Sequence, residues 1–122
     1  MASKYTDFLV VGDPVAARAT AEQALVARDF RVVWHDDWTA TAERGSKSMN
    51  FLAGALAQYF KVGVRLMTAQ AGLTTVRIEK QSSGMMGGAI GMARVQRNMT
   101  ALRGELEATF NAAGVLRGVS EG

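Results

Sequence analysis

Cysteine is absent from this sequence of 122 residues, and histidine and proline occur once each. Without cysteine the chain forms no disulfide, has no thiolate nucleophile and holds no iron–sulfur cluster or thiolate zinc site. The single histidine, His35, excludes a multi-histidine metal site within one chain. We therefore expect neither a metal nor a cofactor, and the lack of cysteine is typical of a reducing compartment.

Long apolar runs are also missing. The longest apolar-leaning stretches, 51–60 and 84–93, are well short of the roughly 20 residues that span a bilayer. Residues 1–7 are followed by only four consecutive apolar residues, Phe8 to Val11, which is shorter than the apolar stretch of a signal peptide. The sequence thus predicts a cytoplasmic protein with no transmembrane segment.

Charge is modest and unevenly distributed. The net charge is +3, with −1 over residues 1–60 and +4 over residues 61–122. This distribution gives a mild bias toward anionic partners. It does not indicate specific nucleic-acid binding, because the chain has no Lys/Arg run and no interleaving of basic and aromatic residues.

Small residues are abundant instead. The chain has 20 alanines and 13 glycines, which together occupy 33 of 122 positions. Hydrophobic residues still make up 48% of the chain, so the sequence predicts a folded domain rather than a disordered one. Its elements must pack closely, because many of the apolar side chains are short.

The order of predicted elements indicates an α+β domain over residues 1–116 and a flexible tail over 117–122. A strand at 5–11 precedes an alanine-rich helix that starts at Asp13-Pro14. Two alternating hairpins, at 30–44 and 60–80, come next, and 49–59 is either a short helix or a connecting segment. A long last helix follows Ser82 and Ser83 and ends at Gly114. We expect a five-stranded, largely antiparallel sheet with the helices packed on one face.

The apolar periodicity of each element gives the candidate core. The first helix, the two hairpins and the last helix contribute Ala17, Ala21, Ala24 and Leu25; Trp38, Ala40 and Ala42; Val62, Val64 and Leu66; Thr74, Val76 and Ile78; and Val95, Met99, Leu102, Leu106 and Phe110.

A glycine cluster opens the last helix. Gly84, Gly87, Gly88 and Gly91 stand at i, i+3, i+4 and i+7 and share one face if the segment is helical. Each glycine costs up to about 1 kcal/mol relative to alanine inside a helix, so the pattern calls for a reason.

Three explanations of this cluster stay open. Close backbone packing, including a contact within a homo-oligomer, would use the flexible side chains of Met85, Met86, Met92 and Met99. Anion binding at the helix start would use Ser83 with Arg94 and Arg97. A peripheral membrane or lipid contact would follow from the Gly-x-x-x-Gly spacing. The candidate binding residues are Ser83, Gly84, Met85, Gly87, Gly88, Gly91, Met92, Arg94 and Arg97.

Histidine and carboxylates meet at one place, His35-Asp36-Asp37. An enzyme would need Asp36, Asp37 or Glu43 to converge with His35 in a pocket. These residues lie where a hairpin turn is predicted, and Asp is favoured there for bonding to its own backbone. We therefore interpret this segment as a turn, flanked by Trp34 and Trp38 in core or hairpin packing.

The sequence predicts no catalytic residues. The leading hypothesis is a non-enzymatic domain that acts by protein association as a homo-oligomer, with the Gly/Met segment 84–92 at or near the contact. The alternative is a carrier of a small apolar or anionic ligand, such as a lipid or a phosphate-bearing molecule. Its pocket would lie between the sheet and the last helix.

Overall fold

Eight helices and strands occur in the part of the chain that the structure describes. The structure is a computed structural model that describes residues 4–44, 60–81 and 88–122, with the backbone alone over 88–95. In chain order the elements are β1 (Tyr5–Val11), α1 (Pro14–Val26), β2 (Arg31–Trp34), β3 (Thr39–Arg44), β4 (Phe60–Gln70), β5 (Leu73–Lys80), α2 (Gly88–Ala112) and β6 (Leu116–Glu121).

The strands form one sheet in the order β2-β3-β4-β5-β1-β6, and each neighbouring pair is antiparallel. The α+β class and the two hairpins, β2–β3 and β4–β5, are confirmed. The predicted number of five strands is wrong, because the described chain holds six. The additional strand is β6, and it occupies most of the segment predicted as a flexible tail, 117–122.

β6 joins the sheet along β1, with Val119 opposite Phe8 and Gly118 opposite Leu9. Leu116 and Val119 pack against the core, which holds the strand in place. The register shifts beside Arg117, which is the extra residue of a β-bulge. This bulge interrupts the alternation of apolar and polar residues, so the segment shows no strand pattern in the sequence.

One face of the sheet carries the core, and both helices contribute to it. Buried and less buried residues alternate along β3 and β5, as predicted. The ring of Phe8 on β1 meets the ring of Phe110 on α2 edge-on, with 5.3 Å between centroids. The predicted core residues that are buried are Ala17, Ala21, Ala24, Leu25, Ala40, Ala42, Val62, Val64, Leu66, Thr74, Val76, Ile78, Met99, Leu102, Leu106 and Phe110.

The predicted helix ends are present. Oδ1 of Asp13 accepts a hydrogen bond from the N–H of Ala16 at 2.9 Å, and Pro14 lies in the first turn of α1. Gly114 follows α2 with a φ of 76°, the left-handed conformation expected of a glycine at the C′ position.

Two predictions fall outside the described residues: the choice between helix and connection at 49–59, and the start of the last helix at Ser82 and Ser83. Among the described helices, none is long and apolar enough to cross a membrane.

Candidate functional site

Several exposed apolar side chains lie on α1, on β2 and in the turn that follows β2. In the described part of the chain, the large apolar side chains that are exposed are Val11 (38%), Val15 (67%), Val26 (54%), Val33 (54%) and Trp38 (40%). All of these except Val11 lie on α1, on β2 or in the turn between β2 and β3. We call Val15, Val26 and Trp38 the α1–β2 surface; Val33 is not part of it, because its neighbours Val32 and Trp34 pack against the core and its own side chain lies on the opposite face of the sheet. Two of these residues, Val15 and Trp38, line one groove, and an apolar patch of this kind on a folded domain typically marks a contact with another molecule.

The outer side of α1 contributes most of this surface. Val15, Ala19 and Val26 share one side of the helix, because they are spaced at i, i+4 and i+11. The opposite side is buried against the sheet and consists of Ala17, Ala21, Ala24 and Leu25. A helix that is apolar on both sides is normally covered on both sides. The sequence of α1 therefore suits a helix whose outer side is covered as well.

Hydrogen bonds to the backbone of Trp38 hold this residue at the edge of the surface. Oδ1 of Asp36 accepts hydrogen bonds from the N–H groups of Trp38 and Thr39, each at 2.8 Å. These bonds favour the carboxylate and therefore hold the pKa of Asp36 below its usual value. The bond from the N–H of Trp38 has the largest effect. The carbonyl of Trp38 accepts from the N–H of Leu66 at 2.9 Å. The turn is thus fixed, and the indole of Trp38 remains exposed.

Trp34 lies beneath the surface and joins β2 to α1. The guanidinium of Arg18 lies 4.1 Å from the centroid of the Trp34 ring, and Nε1 of Trp34 donates to Oε1 of Glu22 at 2.5 Å. Arg18 also donates to the backbone carbonyl of Asp37 at 3.1 Å. These contacts fix α1 relative to the β2–β3 turn.

An open groove of about 620 Å³ runs between α1 and this turn. It is lined by Val15, Arg18, Ala19, Glu22, Gln23, Asp37 and Trp38. An apolar centre that includes a tryptophan and is bordered by charges of both signs is the usual composition of a protein–protein contact.

His35 and its neighbouring aspartates form a turn, as the sequence indicates. Nε2 of His35 lies 2.6 Å from Oγ1 of Thr41, and Asp36 is engaged by the backbone of the turn. His35, Asp36 and Asp37 are all exposed. Over residues 4–44, 60–81 and 88–122, no three His, Asp or Glu side chains are grouped so that they could hold a metal ion.

Most of the binding residues predicted at the glycine cluster lie outside what the structure describes. Ser83, Gly84, Met85 and Gly87 are in the undescribed segment, and Gly88, Gly91, Met92 and Arg94 are described by backbone alone. The remaining one, Arg97, is exposed on α2. The predicted contact at 84–92 therefore stays a prediction.

Side chains of the sheet and of α2 pack closely at one place beneath the last helix. Thr6, Phe8 and Ile78 from the sheet meet Met99, Leu102, Arg103 and Leu106 from α2, and they leave no volume that a water molecule could occupy. No ligand site is formed among these residues, and a ligand pocket elsewhere between the sheet and the last helix stays a prediction.

Sequence reasoning missed the α1–β2 surface, although a signal was present. The alternation predicts Trp38 on the buried face of Ala40 and Ala42, but its indole lies in the turn and is 40% exposed. The usable signal was in α1, where Val15 and Val26 lie opposite the buried alanines. In comparisons with known proteins, no family model and no curated sequence matches this chain.

Proposed function

We propose that this chain is a non-enzymatic domain that acts by protein association, as a homo-oligomer. The observation that carries the proposal is the α1–β2 surface, because three large apolar side chains are exposed there and two of them, Val15 and Trp38, line one groove. Covering apolar area contributes roughly 25 cal/mol per Å², and a rigidly held tryptophan is a common anchor of protein contacts.

The charges around the groove suit a second copy of the same chain. In a two-fold contact the same patch faces itself, so the patch must be self-complementary. Arg18 is positive, and Glu22 and Asp37 are negative, so the border of the groove carries both signs. Ala19, between them, lets another backbone approach α1 closely.

The Gly/Met segment 84–92 is a second proposed contact. It rests on the sequence pattern alone, since it lies outside the residues whose side chains the structure describes. The two contacts are separable, because variants of α1 and variants of 84–92 change different parts of the chain.

The test is sedimentation velocity over a range of protein concentrations. We expect the wild-type chain to form a dimer or larger oligomer, and Trp38→Ser and Val15→Asp to shift it toward the monomer. Val11→Ser is the matched control, because Val11 is also exposed but lies on β1 and does not line the groove. A wild-type chain that sediments at its monomer mass of 13.0 kDa at every concentration would overturn the proposal.

A further inference from the structure

A small hollow lies on the face of the sheet that points away from the core. Thr41 on β3, Gly63 on β4 and Glu79 on β5 stand side by side in the registers of these strands. The residues on each side of Thr41 and of Gly63 are buried, and Glu79 follows the buried Ile78, so all three face away from the core. Because Gly63 has no side chain, it leaves a gap in the middle of this row.

Polar side chains surround the gap. The hollow at this point has a volume of about 150 Å³, and we call it the Gly63 hollow. One water molecule takes up about 30 Å³ in the liquid, so the space suits roughly five non-hydrogen atoms. A molecule that fits the hollow is therefore small. The polar side chains that line it are His35, Thr39, Thr41, Arg65, Glu79 and Gln81.

Uncharged groups form two sides of the Gly63 hollow. On one side, Nε2 of His35 lies 2.6 Å from Oγ1 of Thr41, so these two side chains hold each other in place. On the other side, the carboxamide of Gln81 lies over Gly63. A Cβ placed on Gly63 would come within 2.5 Å of Nε2 of Gln81. The shape of the hollow therefore depends on glycine at position 63.

Arg65 and Glu79 bring one charge of each sign to the hollow. Nε of Arg65 lies 3.9 Å from Oε1 of Glu79, which is close enough for attraction but too far for a hydrogen bond. Their side chains are 52% and 32% exposed, so both charged groups can be reached from solvent. Arg77, opposite Arg65 on β5, differs because it donates two hydrogen bonds to Asp7, at 2.8 and 2.9 Å. Arg65 is thus the arginine of this pair that can hold a ligand.

We propose that the Gly63 hollow binds a small zwitterion, an α-amino acid with little or no side chain. Its carboxylate accepts from the guanidinium of Arg65, and its ammonium group donates to the carboxylate of Glu79. Glu79 repels a simple anion and Arg65 repels a simple cation, whereas a molecule with both charges is attracted by both residues. In an α-amino acid one carbon joins the two charged groups, so their spacing suits side chains that lie 3.9 Å apart.

Amide chemical shifts of the isotope-labelled chain measure this binding residue by residue. On titration with L-alanine, we expect shifts that saturate and that centre on Thr41, Gly63 and Glu79. Acetate and ethylamine each carry only one of the two charged groups. Both should bind at least about tenfold more weakly than L-alanine, because each loses one charge-assisted hydrogen bond and is repelled by the other charge.

Two variants and a matched control test the two charged residues. Arg65→Met and Glu79→Gln should each raise the dissociation constant for L-alanine by about tenfold or more. Glu79→Gln should also tighten the binding of acetate, because it removes the carboxylate that repels an anion. Glu107→Gln is the control, since Glu107 also lies 3.9 Å from an arginine, Arg103, but is on α2 and does not line the hollow. It should bind L-alanine as the wild type does.

Three results would overturn the inference. The first is a titration with L-alanine in which no shift at the Gly63 hollow saturates. The second is acetate binding as tightly as L-alanine, which would make the hollow a site for anions rather than zwitterions. The third is equal weakening by Glu79→Gln and Glu107→Gln, which would mean that net charge alone decides the affinity. None of these results bears on the proposed association, because the hollow and α1 lie on opposite faces of the sheet.

Discussion

The joint between α1 and β2 decides how the apolar helix and the edge strand lie relative to each other. At this joint Asp29 has a φ of 68°, in the left-handed region. The N–H of Phe30 donates to the carbonyl of Leu25 at 3.1 Å, and the N–H of Asp29 donates to the carbonyl of Val26 at 3.0 Å. These bonds form a Schellman motif, in which Asp29 stands at the position that glycine usually occupies.

The substitution Asp29→Gly should therefore stabilise the fold. A left-handed conformation costs an L-residue roughly 1–2 kcal/mol, and somewhat less for Asp, whose side chain can bond locally. Glycine removes this cost. However, glycine has more conformational freedom to lose on folding, and this loss destabilises the folded state by roughly 0.5–1 kcal/mol. The net gain that remains is about 0.5 kcal/mol. Asp29→Ala keeps the left-handed backbone, which alanine tolerates less well than Asp, so it should destabilise the fold.

Urea unfolding followed by circular dichroism measures both variants. The expected order of the free energy of unfolding is Asp29→Gly above wild type above Asp29→Ala, with unchanged slopes. If Asp29→Gly is less stable than Asp29→Ala, residue 29 is not left-handed. The chain would then enter β2 by a turn other than a Schellman motif.

Three further predictions concern other parts of the chain. Asp13→Ala should lower the free energy of unfolding, measured by urea unfolding, by about 1 kcal/mol, because it removes the N-cap bond to Ala16. Asp13→Ser should retain most of the wild-type stability, because serine is also a good N-cap residue. Asp36→Asn should be less stable than the wild type at neutral pH. Since the pKa of Asp36 is lowered from 3.8, its contribution is present above that pH and fades as the pH falls below it. The two proteins should therefore have converging melting temperatures at acid pH, and a constant difference would refute the role of the Asp36 carboxylate. Gly88→Leu should disrupt assembly or folding, as followed by light scattering and circular dichroism, and a wild-type profile in both would remove 84–92 as a contact.

Local patterns were enough to predict most of the elements. Asp13-Pro14 and Gly114 mark helix ends through backbone hydrogen bonding that depends on a few neighbouring residues. The alternation in β3 and β5 identifies their buried faces, because a strand turns successive side chains to opposite sides. The hairpins follow from such strands being joined by short turns.

Long-range pairing could not be predicted in the same way. β6 is a strand because β1 offers it an edge more than 100 residues away in sequence, a contact that no local pattern encodes. The exposure of Trp38 depends on how the turn is bonded to Asp36, and the alternation of β3 does not extend into that turn. The α1–β2 surface likewise appears only when α1 and β2 are placed side by side.

The most direct test of the central claim is the mass of the wild-type chain in solution, measured by multi-angle light scattering across a range of concentrations. Protein association as a homo-oligomer through the α1–β2 surface predicts a mass at least twice that of the 13.0 kDa chain, falling toward one chain in Trp38→Ser. A mass of one chain at the highest concentration would contradict it.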